Sequence, residues 1–173
     1  MNLLLVGKPG VGKTTIVEQV VAQLQADGWR VSGFFTREVR DTLGQRTSFK
    51  IVTFDGAEGE LARIGLASPA RIGRYGVNLQ DLERLALPRL RARDADLLVI
   101  DEIGKMECAS ARFRRAVEDA LDAPTTVLAT VGTGRLRFFA AVRERPDVEV
   151  LEVTERTRAR RLDDVLARLR DSA

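Results

Sequence analysis

Gly7-Lys-Pro-Gly-Val-Gly-Lys-Thr14 decides how this chain is read. The stretch satisfies G-x-x-x-x-G-K-[ST], a loop whose backbone N–H groups cradle a polyphosphate. Asn2-Leu-Leu-Leu-Val6, just before it, is a short apolar run suited to a buried parallel strand. Behind it, Ile16, Val17, Val20, Val21 and Leu24 keep the spacing of an amphipathic helix. Strand, loop and helix are the context in which the pattern becomes a site. Gly7, Gly10 and Gly12 allow positive φ and omit the Cβ atoms that would block a phosphate. The helix N-terminus adds unpaired donors and a positive dipole end. Lys13 brings a compact charge to the β and γ phosphates, and the Thr14 hydroxyl is placed to hold Mg²⁺.

The chain as a whole bounds the problem. Its 173 residues suit one domain, residues 1–173, with a substantial core. Apolar content of 45% and charged content of 31% describe a soluble globular protein, and no stretch approaches the ~18 apolar residues of a membrane span. The N-terminal apolar run is too short for a signal peptide. A single cysteine, Cys108, allows no internal disulfide, so the expected compartment is the cytoplasm. The net charge of +3 is too weak to argue for nucleic acid, and a monomer is expected. Histidine is absent, which excludes a His general base and a His-ligated zinc and leaves carboxylates as the proton acceptors. Only Lys8, Lys13, Lys50 and Lys105 are lysines in an otherwise Arg-using chain. Two lie in the phosphate loop and one in the acidic motif below, where a fork-shaped guanidinium would not serve.

Taken in order, the first helix is expected from Thr14 to about Asp27, stopped by Gly28. Trp29–Val39 and Arg46–Phe54 read as an antiparallel hairpin around Asp41–Gly44, with a short third strand over Gly59–Leu66. Arg37 or Arg40 would either reach a phosphate or pair with a glutamate at the hairpin end. Gly65–Gly76 reads as a long loop, the kind that acts as a lid; its Tyr75 would stack on a base or on its own neighbours. Asn78 caps a helix that Pro88 should kink or interrupt before Leu90. Ser110 caps the next helix, Thr125–Val131 and Val148–Val153 are strands, and Thr154 caps a final helix. Thr130 is a γ-phosphate sensor or a plain strand residue. Arg156–Arg161 reads as a solvated helix face, since no aromatics are interleaved.

The second functional stretch is Asp96-Leu-Leu-Val-Ile-Asp-Glu-Ile-Gly-Lys-Met-Glu107. An apolar strand ends in Asp101 and Glu102, and ligands of open α/β sheets lie beyond the carboxyl ends of the strands. Asp101 would hold Mg²⁺, mainly through its waters. Glu102 fits a carboxylate that orients and deprotonates the attacking water. Lys105 either neutralises charge on the transferring phosphoryl group or pairs with Glu107 or Glu102.

The stretches Gly7–Thr15, Gly-Phe-Phe-Thr-Arg-Glu-Val-Arg40, Gly-Arg-Tyr-Gly-Val77, Asp-Glu-Ile-Gly-Lys-Met-Glu107 and Leu-Ala-Thr-Val131 together resemble the small nucleoside-triphosphatases first known from thermophiles, whose animal relatives are called cancer-related nucleoside-triphosphatase. The resemblance spans nearly the whole chain, and the Asp-Glu-Ile-Gly-Lys-Met-Glu element is its most specific part. It implies an α/β phosphate-loop fold, a three-layer sandwich with a mainly parallel sheet flanked by helices. It also implies Mg²⁺-dependent hydrolysis of ATP, GTP and other triphosphates to the diphosphate and phosphate, with low base selectivity. Its nucleotide-binding segments carry over to Gly7, Lys8, Pro9, Gly10, Val11, Gly12, Lys13, Thr14 and Thr15, and to Leu98, Val99, Ile100, Asp101, Glu102, Ile103, Gly104 and Lys105. Where that family tends to have Asn-Arg-Asp, this chain has Thr157-Arg158-Ala159. Arg158 remains as a candidate beside the base or ribose.

The reading is therefore a nucleoside triphosphate hydrolase in which Lys13, Glu102 and Lys105 act on the reaction and Thr14 and Asp101 hold Mg²⁺. Two rivals remain: a small-molecule kinase with Gly65–Gly76 as its lid, and a slow nucleotide switch acting through a protein or RNA partner.

Overall fold

The computed structural model describes residues 1–172. Five parallel strands form its centre: β1 (Asn2–Val6), β2 (Val31–Arg40), β7 (Leu97–Ile103), β8 (Thr126–Val131) and β9 (Val148–Glu152). β3 (Arg46–Thr53), β4 (Glu58–Ile64), β5 (Arg71–Ile72) and β6 (Tyr75–Val77) extend the sheet from β2 as antiparallel neighbours. The spatial order is β5-β6-β4-β3-β2-β7-β8-β1-β9. The expected hairpin and third strand are present, the latter as β4, and β5 and β6 make the antiparallel extension four strands wide.

Strand alternation makes two apolar layers. Leu3 and Leu5 of β1, Leu97 and Val99 of β7 and Leu128 of β8 face α1 (Lys13–Ala26) and α5 (Arg158–Asp171). Leu4, Leu98, Ile100, Val127 and Ala129 face the other way, against α2 (Leu79–Leu90), α3 (Ala111–Asp122) and α4 (Arg137–Arg143). Central strands buried on both faces read as unbroken apolar runs, and these do. Among the described residues, no helix is long and apolar enough to cross a membrane.

Gly33 sits in β2 directly opposite Val99, at φ 125°, where a Cβ would strike the Val99 backbone. Gly33→Ala is therefore expected to destabilise the fold by about 3 kcal/mol, from overpacking and a φ that alanine avoids. A chemical-denaturation midpoint measures it, and an unchanged midpoint would mean that β2 can move away from β7.

Three expectations are corrected. Gly65–Gly76 is a loop only as far as Ala70: Arg71 pairs with Gly76 and Ile72 with Tyr75, so its second half folds back as a small hairpin on the sheet edge. Strands of two and three residues are too short to leave a period-2 signal. Pro88 does not interrupt α2, which runs through it to Leu90. It stands in the last turn, where one helical bond is forfeited, and the carbonyl it would have used belongs to exposed Arg84. Thr154 does not cap α5. Its hydroxyl accepts the Thr157 N–H, closing a turn just ahead of the helix, and Thr157 is the residue at the N-cap position. The caps at Asn78 and Ser110 stand as expected, each accepting the N–H three residues on.

Candidate functional site

The loop after β1 wraps the N-terminus of α1. Gly10 and Gly12 take φ of 77° and 106°. Gly7 serves differently: its φ is not positive, but a Cβ there would collide with the Val153 carbonyl. Gly12 stands at the N-cap without a side-chain cap, so the first-turn N–H groups of α1 have no intrahelical partner. Lys13 is nearly buried, and its ammonium group folds back onto the loop, donating to the Gly7 carbonyl at 2.9 Å and the Lys8 carbonyl at 3.2 Å.

Asp101 meets this loop from the end of β7. Alternation puts residues 97, 99 and 101 on the α1 face, and residues 128 and 130 of neighbouring β8 on the same face. Thr130 accordingly donates to Asp101 Oδ1 at 2.5 Å and is wholly buried, so it orients this carboxylate instead of facing a ligand. The Thr14 hydroxyl and the Lys13 charge act on the same group. Burial raises the Asp101 proton affinity, and Thr130, Thr14 and Lys13 oppose it. The second oxygen, Oδ2, is buried without a hydrogen-bond partner. A buried carboxylate oxygen left free beside a threonine hydroxyl is a fitting donor for a hard divalent cation.

Glu102 follows at once, yet it shares the cleft with Asp101. A regular strand would send neighbours to opposite faces. The β7–β8 ladder changes register between Ile100 and Ile103, and Ile103 packs with the α2 and α3 layer. Burial first, and the Asp101 charge second, raise the Glu102 pKa above the ordinary glutamate value.

Two clefts flank the phosphate loop. One, of about 330 Å³, is lined by Lys13, Thr14, Thr15, Asp101 and Glu102, with Thr36, Glu38 and Phe49 of the β2–β3 hairpin and Gly132 and Thr133 after β8. The other, of about 510 Å³, lies between Gly7–Val11 and the turn Glu152–Arg156. A third cleft, of about 710 Å³, opens at the opposite end of the strands; of the motif residues only the buried Leu98 touches it, and no phosphate-loop residue or motif carboxylate does.

Several expected site residues lie elsewhere. Leu98, Val99, Ile100 and Ile103 are at most 2% exposed and fill the apolar layers, so their side chains reach no ligand. Arg158 is exposed at the start of α5 and does not line the second cleft; Arg156 does. Lys105 is exposed and, among the described residues, pairs with neither Glu102 nor Glu107; its chain end lies over Gly134, beyond the turn that supplies Gly132 and Thr133. Arg37 pairs with Glu18 at 2.9 Å and Arg40 with Glu38 at 2.7 Å, the ion-pair alternative for both. Tyr75 stacks edge-on against Phe49, with ring centres 5.2 Å apart.

Thr36, Glu38, Phe49 and Thr133 were not singled out by sequence. For the first two a signal existed: in a strand, Thr36 and Glu38 share a face that Arg37 does not. Glu38 is held there by Arg40 and Arg46.

Comparison with known proteins places this architecture. Residues 2–166 match the family described as NTPase. The chain is 42% identical over 172 residues to nucleoside-triphosphatase THEP1 of Thermotoga sp. (strain RQ2), covering 98% of this chain and 96% of that protein. It is 39% identical to the human cancer-related nucleoside-triphosphatase, covering 99% and 97%. The crystal structure of THEP1 from Aquifex aeolicus superposes with a TM-score of 0.87 at 36% identity, over 98% of this chain and 99% of that one.

Proposed function

Since the chain belongs to the NTPase family, we propose that it hydrolyses nucleoside triphosphates to the diphosphate and inorganic phosphate, dependent on Mg²⁺ and with little preference for the base. The observation that carries this reading is one cleft that joins free helix N–H groups and a lysine to two carboxylates of different standing. Asp101 is clamped by Thr130 and keeps one oxygen unused. Glu102 is unclamped and raised in proton affinity.

The triphosphate lies along Gly7–Thr14, where the free N–H groups of α1 take phosphate oxygens and the Lys13 ammonium exchanges loop carbonyls for them. Thr14 and Asp101 would hold Mg²⁺, which, when bound, neutralises charge on the β and γ phosphates. Glu102 takes a proton from the attacking water as the new O–P bond forms; the bond to the β-phosphate oxygen breaks, and the diphosphate leaves. Lys105, whose chain end lies over Gly134 next to the cleft residue Thr133, would serve as an accessory cation. The base enters the second cleft, against Glu152–Arg156, with Arg156 in the place first given to Arg158. A guanidinium over a base face stacks on any purine or pyrimidine, which favours broad selectivity.

The kinase alternative draws less support: the end of its expected lid, Arg71–Gly76, pairs onto the sheet edge, and Arg37 and Arg40, which could have served an acceptor, are engaged by glutamates.

Phosphate release from a panel of nucleoside triphosphates, with and without Mg²⁺, tests the proposal. Release with several bases, abolished by chelation, is expected. Release that requires an added alcohol acceptor would make the protein a kinase.

A further inference from the structure

The last residue of the acidic motif has no part in the mechanism above. Glu107 opens the 3₁₀ turn Glu107–Ala109 and is 3% exposed. Carboxylates this deep are normally paired with a cation. The groups acting on this one are its own N–H, the N–H of Gly104 and the carboxylates of Glu102 and Asp101.

Gly104 is where Glu102 and Glu107 meet. A Cβ at this position would lie 2.5 Å from Glu107 Oε2 and 2.9 Å from Glu102 Oε1, closer than real Cβ atoms come. The two carboxyl groups close on one residue, Glu107 from the core and Glu102 from the cleft. The Gly104 carbonyl is tied as well, accepting the Cys108 N–H at 2.9 Å. The backbone just beyond Glu102 is thus packed against the Glu107 carboxyl group and held at its carbonyl by the next turn.

We propose that Glu107 is a positioning residue for Glu102: its carboxyl group packs on Gly104 and accepts the Gly104 N–H, fixing the turn from which the Glu102 carboxylate is held in the cleft. The inference rests on the hydrolase reading, because it requires Glu102 to be the base.

Its charge state follows from its surroundings. Glu102 and Asp101 of β7 face it, as does Cys108 of its own turn, whose thiol burial pushes up to about 12. Arg114 of α3 is engaged by the Cys108 carbonyl. Burial, and next Glu102, push Glu107 up to about 8. At neutral pH it is an uncharged acid, with an oxygen for the Gly104 N–H and no second negative charge behind the base. As pH rises through about 8 it ionises, and turnover falls. The linkage has the same sign. A carboxyl pKa raised on folding stabilises the protein fully below its unfolded value of roughly 4.3, and that contribution is lost as pH climbs through the folded value.

The test compares the parent with Glu107→Ala and Glu107→Gln, measuring kcat from pH 6 to 9.5 and affinity for a non-hydrolysable triphosphate. Glu107→Ala is expected to lose about 10-fold or more in kcat, the scale of a lost supporting contact, with affinity within about 3-fold of the parent. Glu107→Gln is permanently neutral and keeps an oxygen acceptor. It should restore most of that loss and abolish the alkaline fall seen in the parent. Parental turnover in Glu107→Ala, equal losses of kcat and affinity, or an alkaline fall that persists in Glu107→Gln each overturns the proposal. Should Glu107→Ala fail to fold, the pH profile of Glu107→Gln decides alone. A parent that releases no phosphate from any triphosphate defeats the hydrolase reading instead, before any variant is compared.

Discussion

Glu102→Gln is expected to bind nucleotide as the parent does and to release phosphate about 100-fold more slowly or worse, the scale of a lost general base. The amide has the size of the carboxylate and disturbs neither the loop nor the Asp101–Thr130 pair. What it cannot do is take a proton from water. Burial and the neighbouring Asp101 charge give Glu102 a higher proton affinity than a free glutamate, which suits that task. Binding should persist because the phosphates are held by other groups, Lys13 and the N-terminus of α1. Single-turnover phosphate release under saturating nucleotide, beside a direct binding titration, separates the two effects. Turnover within about 3-fold of the parent would remove Glu102 from the chemistry.

Lys13→Ala is expected to act on the other side of that divide. Losing a buried, charge-bearing partner costs about 2–5 kcal/mol, so triphosphate affinity should fall by about 30-fold or more. The Lys13 ammonium spans the Gly7 and Lys8 carbonyls, so the variant also loosens the loop. A melting curve reports that effect separately. Calorimetric titration with a non-hydrolysable triphosphate and Mg²⁺ measures the affinity. Binding at parental strength would mean that backbone N–H groups alone hold the phosphates, and that the ammonium is only a brace for the loop.

Much of the architecture is legible in the residues because local signals agree with tertiary ones. The phosphate loop carries its glycines, lysine and flanking periodicities within a span of some two dozen residues. Asp101 stands at the end of an apolar run, so strand topology alone carries it toward the loop. Other features depend on pairings that no local pattern records. The role of Thr130 is fixed by the register of β8 against β7, which sets it opposite a carboxylate. Gly65–Gly76 has loop-like composition, and only contact with β4 draws its end into the sheet. Within the segment Leu98–Lys105, alternation decides which side chains reach the cleft: only Asp101 and Glu102 line it, and Glu102 does so where the ladder shifts. Glu107 was visible in the motif, but its burial was not, since a glutamate by composition belongs on the surface.

The two clefts beside the phosphate loop have one more implication. They share Gly7, Pro9 and Gly10 and otherwise draw on separate parts of the chain: one on the β2–β3 hairpin and the strand ends, the other on Glu152–Arg156. With the base in the second cleft, as proposed, molecular discrimination and bond cleavage are modular. Drift or deliberate engineering in that five-residue turn can retune which nucleoside is favoured while the hydrolytic apparatus stays as inherited, and one ancestral catalyst can diversify its diet without rebuilding its teeth.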